Sequence, residues 1–145
     1  MPEPTGAMLA PVTDEDGAPF WEYAARGELR VQGCARCGEL RFPPRPCCPH
    51  CRSFDSEWRP MSGRGRLWSY VVPHPPLLPA YAALAPRYNV AVVELADAPR
   101  IRLVGNVVAA PGAPLDSVEP ARLRIGAAVR VAFDGGLPRW VLERP

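Results

Sequence analysis

Four thiols stand at spacings that suit one metal ion. Cys34 and Cys37 flank Ala35-Arg36, and Cys48 and Cys51 flank Pro49-His50. Two intervening residues let each pair curl into a knuckle whose backbone amides face the sulfurs, and Gly38 supplies permissive dihedrals just after the first knuckle. A four-thiolate shell favours zinc, with iron in a rubredoxin-like centre as the alternative. Four protein ligands leave no position for water or substrate, so a full shell predicts a structural role and argues against hydrolysis. Disulfides are the competing reading, and they belong to oxidising compartments. Met1 to Pro11 has neither a basic start nor a long apolar run, so no secretory signal is read there, and the expectation is a metal site in a cytoplasmic chain. Cys47 is the spare thiol. Symmetry with the first knuckle selects Cys48 over Cys47 as the partner of Cys51, and His50 is read as a knuckle residue pointing outward.

The rest of the chain must position that site. Its 145 residues suffice for one domain of ordinary size or two small ones, and no stretch approaches the roughly 20 apolar residues of a membrane span. Twenty prolines argue against long helices and for short strands joined by stiff loops. All 17 basic residues are Arg. Residues 1–25 carry five acids and no Arg, whereas residues 26–66 carry nine Arg and four acids. That basic middle suits a phosphate-bearing cofactor or an acidic partner, although many solvated surfaces look the same.

In order, the acidic, Pro-rich stretch to Gly17 reads as an arm. Pro19 to Gly27 reads as a short helix, with Pro in its first turn and Gly at its stop. Its Phe20, Trp21 and Tyr23 either pack on the chain's own body or insert into a partner. Glu28 to Gln32 alternates as a strand leading into the first knuckle, and Leu40 and Phe42 alternate before the second, so residues 28–57 form a zinc-ribbon hairpin. From residue 58 to 145 six strand-like runs follow: Trp58–Met61, Arg66–Val72, Asn89–Leu95, Ile101–Val108, Ala128–Phe133 and Arg139–Leu142. Turn signals such as Gly63-Arg64-Gly65 and Asp134-Gly135-Gly136 separate them. Short strands at this density predict a small Greek-key barrel of the OB type. The predicted class is mainly β: a short N-terminal helix, a rubredoxin-like zinc ribbon and a C-terminal OB-fold barrel.

Taken together, Phe20-Trp21, Gly27-Glu28-Leu29, the two CxxC knuckles, Pro43-Pro44-Arg45, Gly63-Arg64-Gly65, Trp68-Ser69-Tyr70 and Ile125-Gly126 resemble the zinc-ribbon plus OB-fold family known as domain of unknown function thirty-five. The resemblance runs from about Phe20 to the C-terminus. It implies an accessory or scaffold subunit that accompanies thiolase-like, acyl-CoA-using enzymes. The run Trp68 to Pro79 is more similar to the branch tied to bacterial steroid side-chain breakdown, in which the ribbon and barrel dock on a lipid-transfer-protein-like aldolase that cleaves a hydroxyacyl-CoA. The expected partner is therefore such an aldolase in a hetero-oligomer, with the acyl-CoA held mainly by the partner and zinc as the structural cofactor.

No catalytic constellation is visible: there is no nucleophile elbow, no Walker loop, and Gly63-Arg64-Gly65 is too short for a dinucleotide fingerprint. Partner contacts are expected at Phe20, Trp21, Tyr23, Leu77, Leu78 and Tyr81, since aromatic anchors often dominate binding. Arg64, Arg66 and His74 are candidates for CoA or substrate contact, set against the plainer reading of solvated arginines and an exposed loop histidine. The rival function is single-stranded nucleic-acid binding, with Trp68 and Tyr70 sharing one barrel face for base stacking.

Overall fold

The computed structural model describes residues 11–82 and 86–144. The first ten residues of the expected arm lie outside these. Helix α1 spans Ala18–Ala25. Its start is held by Asp14, whose side chain accepts from the Gly17 N–H at 2.6 Å and whose carbonyl accepts from the Ala18 N–H at 2.9 Å. Its end is a Schellman closure: Gly27 N–H donates to Ala24 O, Glu28 N–H donates to Tyr23 O, and Gly27 takes φ +77°.

Strands β1 (Arg30–Cys34), β2 (Leu40–Arg41) and β3 (Ser56–Pro60) form a three-stranded antiparallel sheet in the order β2-β1-β3. The boundary expected between residues 57 and 58 therefore cuts through β3, all of which pairs with β1. Buried Gln32 organises the space beside the knuckles. Its side-chain oxygen accepts from Arg41 Nε at 2.8 Å and from the Arg45 N–H at 2.7 Å.

Strands β4 (Arg64–Val71), β5 (Val90–Leu95), β6 (Arg102–Val108), β7 (Ala128–Asp134) and β8 (Leu137–Leu142) close into a barrel in the order β4-β5-β6-β8-β7. Only the β6–β8 pairing is parallel. This five-stranded closure is the OB arrangement. A two-residue turn at Gly135-Gly136, both with positive φ, joins β7 to β8. Gly65 is required by close approach: a Cβ there would lie 2.6 Å from Glu94 O and from Val93 Cγ1.

Ribbon and barrel share one core. Leu29 and Val31 from the ribbon side pack in the same cluster as Leu67, Val93, Leu103, Val129 and Trp140 from the barrel. Phe20 of α1 joins them, and Ala25 lies against Gly136 of the β7–β8 turn. Where the β5–β6 ladder ends, the side chain of fully buried Asn89 takes over. It donates to Val107 O at 2.9 Å and accepts from the Val107 N–H at 2.8 Å, leaving no backbone group of that residue unpaired.

Beside this junction, the Asp97 carboxylate accepts from both the Ser62 hydroxyl and the Ser62 N–H, the latter at 2.9 Å. The Ser62 hydroxyl bond is the main cause that holds Asp97 below the usual carboxylate range. A depressed carboxyl contributes stability above its unfolded pKa and loses it as pH falls through its folded value. Asp97→Asn is therefore expected to flatten the acid limb of stability against pH, measured by denaturant midpoints from pH 6 down to pH 2. An unchanged acid limb would remove this clamp from the account.

Candidate metal centre and docking face

The two knuckles repeat one hydrogen-bond pattern. Cys34 N–H reaches Glu39 O and Gly38 N–H reaches Cys34 O; in the second knuckle Cys48 N–H reaches Ser53 O and Arg52 N–H reaches Cys48 O. The repeat turns all four sulfurs to one point. Cys34 and Cys51 Sγ lie 3.5 Å apart, Cys37 and Cys48 Sγ 3.7 Å apart, and all four within 4.8 Å of one another. A tetrahedral shell with zinc–sulfur bonds of about 2.3 Å has edges of about 3.8 Å, so the arrangement fits a closed four-thiolate metal site. Cys47 is outside the cluster, its Sγ turned to Cys48 O.

Electrostatics make the same point. The Cys37 N–H, 3.4 Å from Cys34 Sγ, is the leading cause that lowers the Cys34 thiol to about 6, and the Cys51 N–H does most to lower Cys48. The Glu39 N–H favours a Cys37 thiolate, but desolvation and the sulfurs of Cys51, Cys34 and Cys48 outweigh it and push Cys37 up to about 12. A bound divalent cation supplies the charge that lets all four ligate as thiolates, and its role here is folding free energy.

Arg52 sits at φ +65°, the place that Gly38 fills in the first knuckle at φ +81°. A side chain in this left-handed region costs about 1–2 kcal/mol. Arg52→Gly is expected to raise stability by about 1 kcal/mol in a denaturant titration of the metal-loaded chain; a loss of stability would mean that the Arg52 side chain makes up for its backbone.

The expected partner and ligand residues fall in different places. Phe20, 4% exposed, packs edge-to-face on Trp21 at 5.0 Å and lies 5.4 Å from Phe42. It anchors its own helix, which corrects the expectation of a partner contact there. Tyr23 stands near Trp58 on the ribbon side, under the guanidinium groups of Arg26 and Arg30. Trp21 and Tyr81 come together, lining a hollow of about 360 Å³ with Tyr88, Val90, Val104, Asn106 and Arg139. Tyr81, on the short helix α2 (Pro79–Ala82), stacks on Tyr88 at 5.6 Å. Leu77 is half-buried, Leu78 is 67% exposed, and His74 is an exposed loop residue whose Nδ1–H donates to Val72 O at 2.9 Å.

That hollow opens onto an apolar outer barrel face. Ladder register places Val71 beside Val90 and Val92 beside Val104, on the side opposite to inward Ala91 and Val93. Val71 and Val104 are among the most exposed large apolar residues of the chain. A bulge was not legible in the sequence: Leu67 pairs with Val93 but Ser69 with Val92, so Trp68 is an extra residue and the face alternation slips. Trp68 points outward, 46% exposed beneath Arg102, whereas Tyr70 pairs with Ala91 and packs on the core. Trp68 and Tyr70 thus do not share a face, and Trp140 is fully buried. Arg64 and Arg66 are exposed on the outer side of β4.

A closed metal ribbon fused to an OB barrel, with an apolar outer face, defines a class of ribbon-plus-barrel module. Residues 21–57 match the rubredoxin-like zinc ribbon domain of ChsH2 and residues 58–134 its C-terminal OB-fold domain. The chain belongs to this ChsH2, or DUF35, family. It is 38% identical over 127 residues to a probable enoyl-CoA hydratase alpha subunit of Thermomonospora curvata, covering 88% of this chain and 36% of that protein. It is 34% identical to the 3-oxo-4,17-pregnadiene-20-carboxyl-CoA hydratase alpha subunit of Mycobacterium tuberculosis, covering 94% of this chain and 39% of that one. The chain therefore spans less than two-fifths of these relatives. A DUF35 domain-containing scaffold protein of Methanothermobacter thermautotrophicus is 33% identical, with 74% of this chain and 73% of that protein covered. Among solved structures, a chain of an Ltp2-ChsH2(DUF35) aldolase is 37% identical with a TM-score of 0.76, covering 92% of this chain and 98% of that one. Among the described residues no helix is long and apolar enough to cross a membrane.

Proposed function

We propose that this chain is a non-catalytic accessory subunit that docks on and stabilises a thiolase-like, lipid-transfer-protein-type acyl-CoA enzyme. The complex would be a cytoplasmic lyase performing retro-aldol cleavage of a steroid side-chain hydroxyacyl-CoA. The likeness to the aldolase chain over nearly the whole of both chains carries this reading. The valine-rich outer face of β4, β5 and β6, continuous with Trp21 and Tyr81, supports it as the docking surface, with Leu78 as a further contact. Metal in the ribbon is taken as zinc, and a four-thiolate metal site accords with a reducing compartment. The shared face of Trp68 and Tyr70 on which the nucleic-acid rival rests is not formed: Tyr70 and Trp140 are turned inward and Trp68 lies under Arg102.

The experiment is co-purification with the thiolase-like protein encoded nearest to this chain, followed by a lyase assay of the complex and of each part. A stable complex active only when both are present is expected. Val104→Asp with Tyr81→Ala should abolish it while circular dichroism and metal content stay unchanged. No complex, with the chain held on single-stranded nucleic acid in a strongly salt-dependent way, would overturn the reading.

A further inference from the structure

We propose that Arg41, held in place by Gln32, is the buried counter-charge of the metal centre and sets how tightly the ribbon keeps its ion. The proposal rests on the four-thiolate site and stands apart from the accessory-subunit reading. Arg41 is 6% exposed and Gln32 5% exposed. The Arg41 side chain donates to neutral oxygens only: Nε to Gln32 Oε1 at 2.8 Å and Nη2 to Arg45 O at 3.0 Å, while Nη1 is buried without a partner. Among the described residues no carboxylate is ion-paired with Arg41, and no Asp or Glu is buried. A guanidinium cannot shed its proton in a protein, and a charge taken out of water with no counter-charge is costly.

The missing counter-charge lies on the same face of the ribbon sheet. Arg41 stands directly opposite Gln32 in the β1–β2 ladder. Cys34 follows Gln32 by two residues on β1, so its side chain emerges on that face about 7 Å further along the strand. Gln32 Oε1 also accepts from the Arg45 N–H, and Arg45 stands three residues before Cys48 of the second knuckle. Cys34 and Cys48 are fully buried. Once loaded, the site is formally a dianion, because four thiolates outweigh one divalent ion, and its buried thiolates are the anions that a buried guanidinium on this face offsets. Groups outside a ligand set tune a metal through charge and hydrogen bonding, and losing one commonly costs about 10–100-fold in affinity. Gln32 thus has two tasks: it ties the approach to the second knuckle onto β1, and it fixes the cation beside the first.

The test compares two variants of the full chain that reach the same local charge by opposite routes. Arg41→Met removes the guanidinium at similar length. Gln32→Glu keeps both acceptor bonds, to Arg41 Nε and to the Arg45 N–H, but cancels the guanidinium's charge where it stands. In both, zinc affinity, read by competition with a chromophoric chelator, should fall about tenfold or more. In both, the iron-loaded chain should show a lower reduction potential, since a less positive surrounding favours the ferric form. Arg41→Lys, which restores the charge without the planar fork, should recover part of each loss. A residue that merely braces the loop predicts a different pattern: Arg41→Met weakens zinc, whereas Gln32→Glu, with its bonds kept and now charge-assisted, does not. That pattern overturns the proposal, and so does a fall in zinc affinity with no fall in the iron potential. Should Arg41→Met fail to fold, Gln32→Glu and Arg41→Lys still decide it: zinc affinity and potential within twofold and unchanged, respectively, in Gln32→Glu sink the counter-charge.

Discussion

Stripping the metal with a strong chelator is expected to unfold the ribbon and leave the barrel largely folded. Residues 28–57 bury few apolar side chains of their own; Leu29, Val31, Cys34 and Cys48 are the buried ones among them, and two of these are ligands. Structural zinc supplies apparent binding free energies on the order of 10–16 kcal/mol in ribbon-sized peptides, far more than that small core provides. Cys34→Ser and Cys51→Ser should each lower metal content from about one ion per chain toward none, since a closed shell needs all four thiolates. Far-UV circular dichroism should keep most of its β signal, because the barrel closes through its own five strands. Elemental analysis and a chelator titration followed by dichroism would settle it. Unchanged metal content and stability in both variants would remove the structural metal from the account.

The second large effect is expected at Trp140. Its ring is fully buried, reached by β8 from within the closed barrel, and Gly105 makes room for it: a Cβ there would lie 3.0 Å from the indole and 3.2 Å from Pro138 O. Trp140→Ala should cost about 3–5 kcal/mol, the lost transfer energy plus the cavity left behind. Trp140→Phe should cost much less. Its indole Nε1 has no hydrogen-bond partner, so the smaller ring gives up volume and no bond. Urea midpoints of the metal-loaded variants would test both, and a loss below about 1 kcal/mol in Trp140→Ala would contradict the packing described.

What the sequence made legible follows from how local each signal is. Two CxxC pairs define a ligand set by spacing alone, and the fold brings together the same four sulfurs. The helix was legible from Pro19 and Gly27, and the barrel strands from their alternation and from Gly135-Gly136 between the last two. The register of Cys48 over Cys47 followed from symmetry with the first knuckle. Features that depend on the partner strand were hidden. The bulge at Trp68 reverses the face of Tyr70, and nothing in the run Leu67-Trp68-Ser69-Tyr70 announces it. The inward turn of Phe20 depends on Phe42, which is distant in sequence. Asn89 reads in the sequence as the first residue of a strand, yet its buried side chain completes the ladder of a neighbouring strand. Nor did any local signal foretell the left-handed backbone of Arg52, because glycine and not arginine marks such places.

Helix α1 touches both halves of the molecule through adjacent residues. Phe20 meets Phe42 next to the ribbon, while Trp21, in edge contact with Phe20, walls the hollow on the barrel face. Loss of the ribbon's metal would free Phe42, and with it the support that holds Phe20 and, one residue on, Trp21. The hollow proposed above as part of the docking face would then lose one side even though the barrel strands stay closed. If the proposed docking face is used, metal loading would act as a checkpoint on assembly: a partner that selects for the complete wall would admit only chains whose ribbon is already charged.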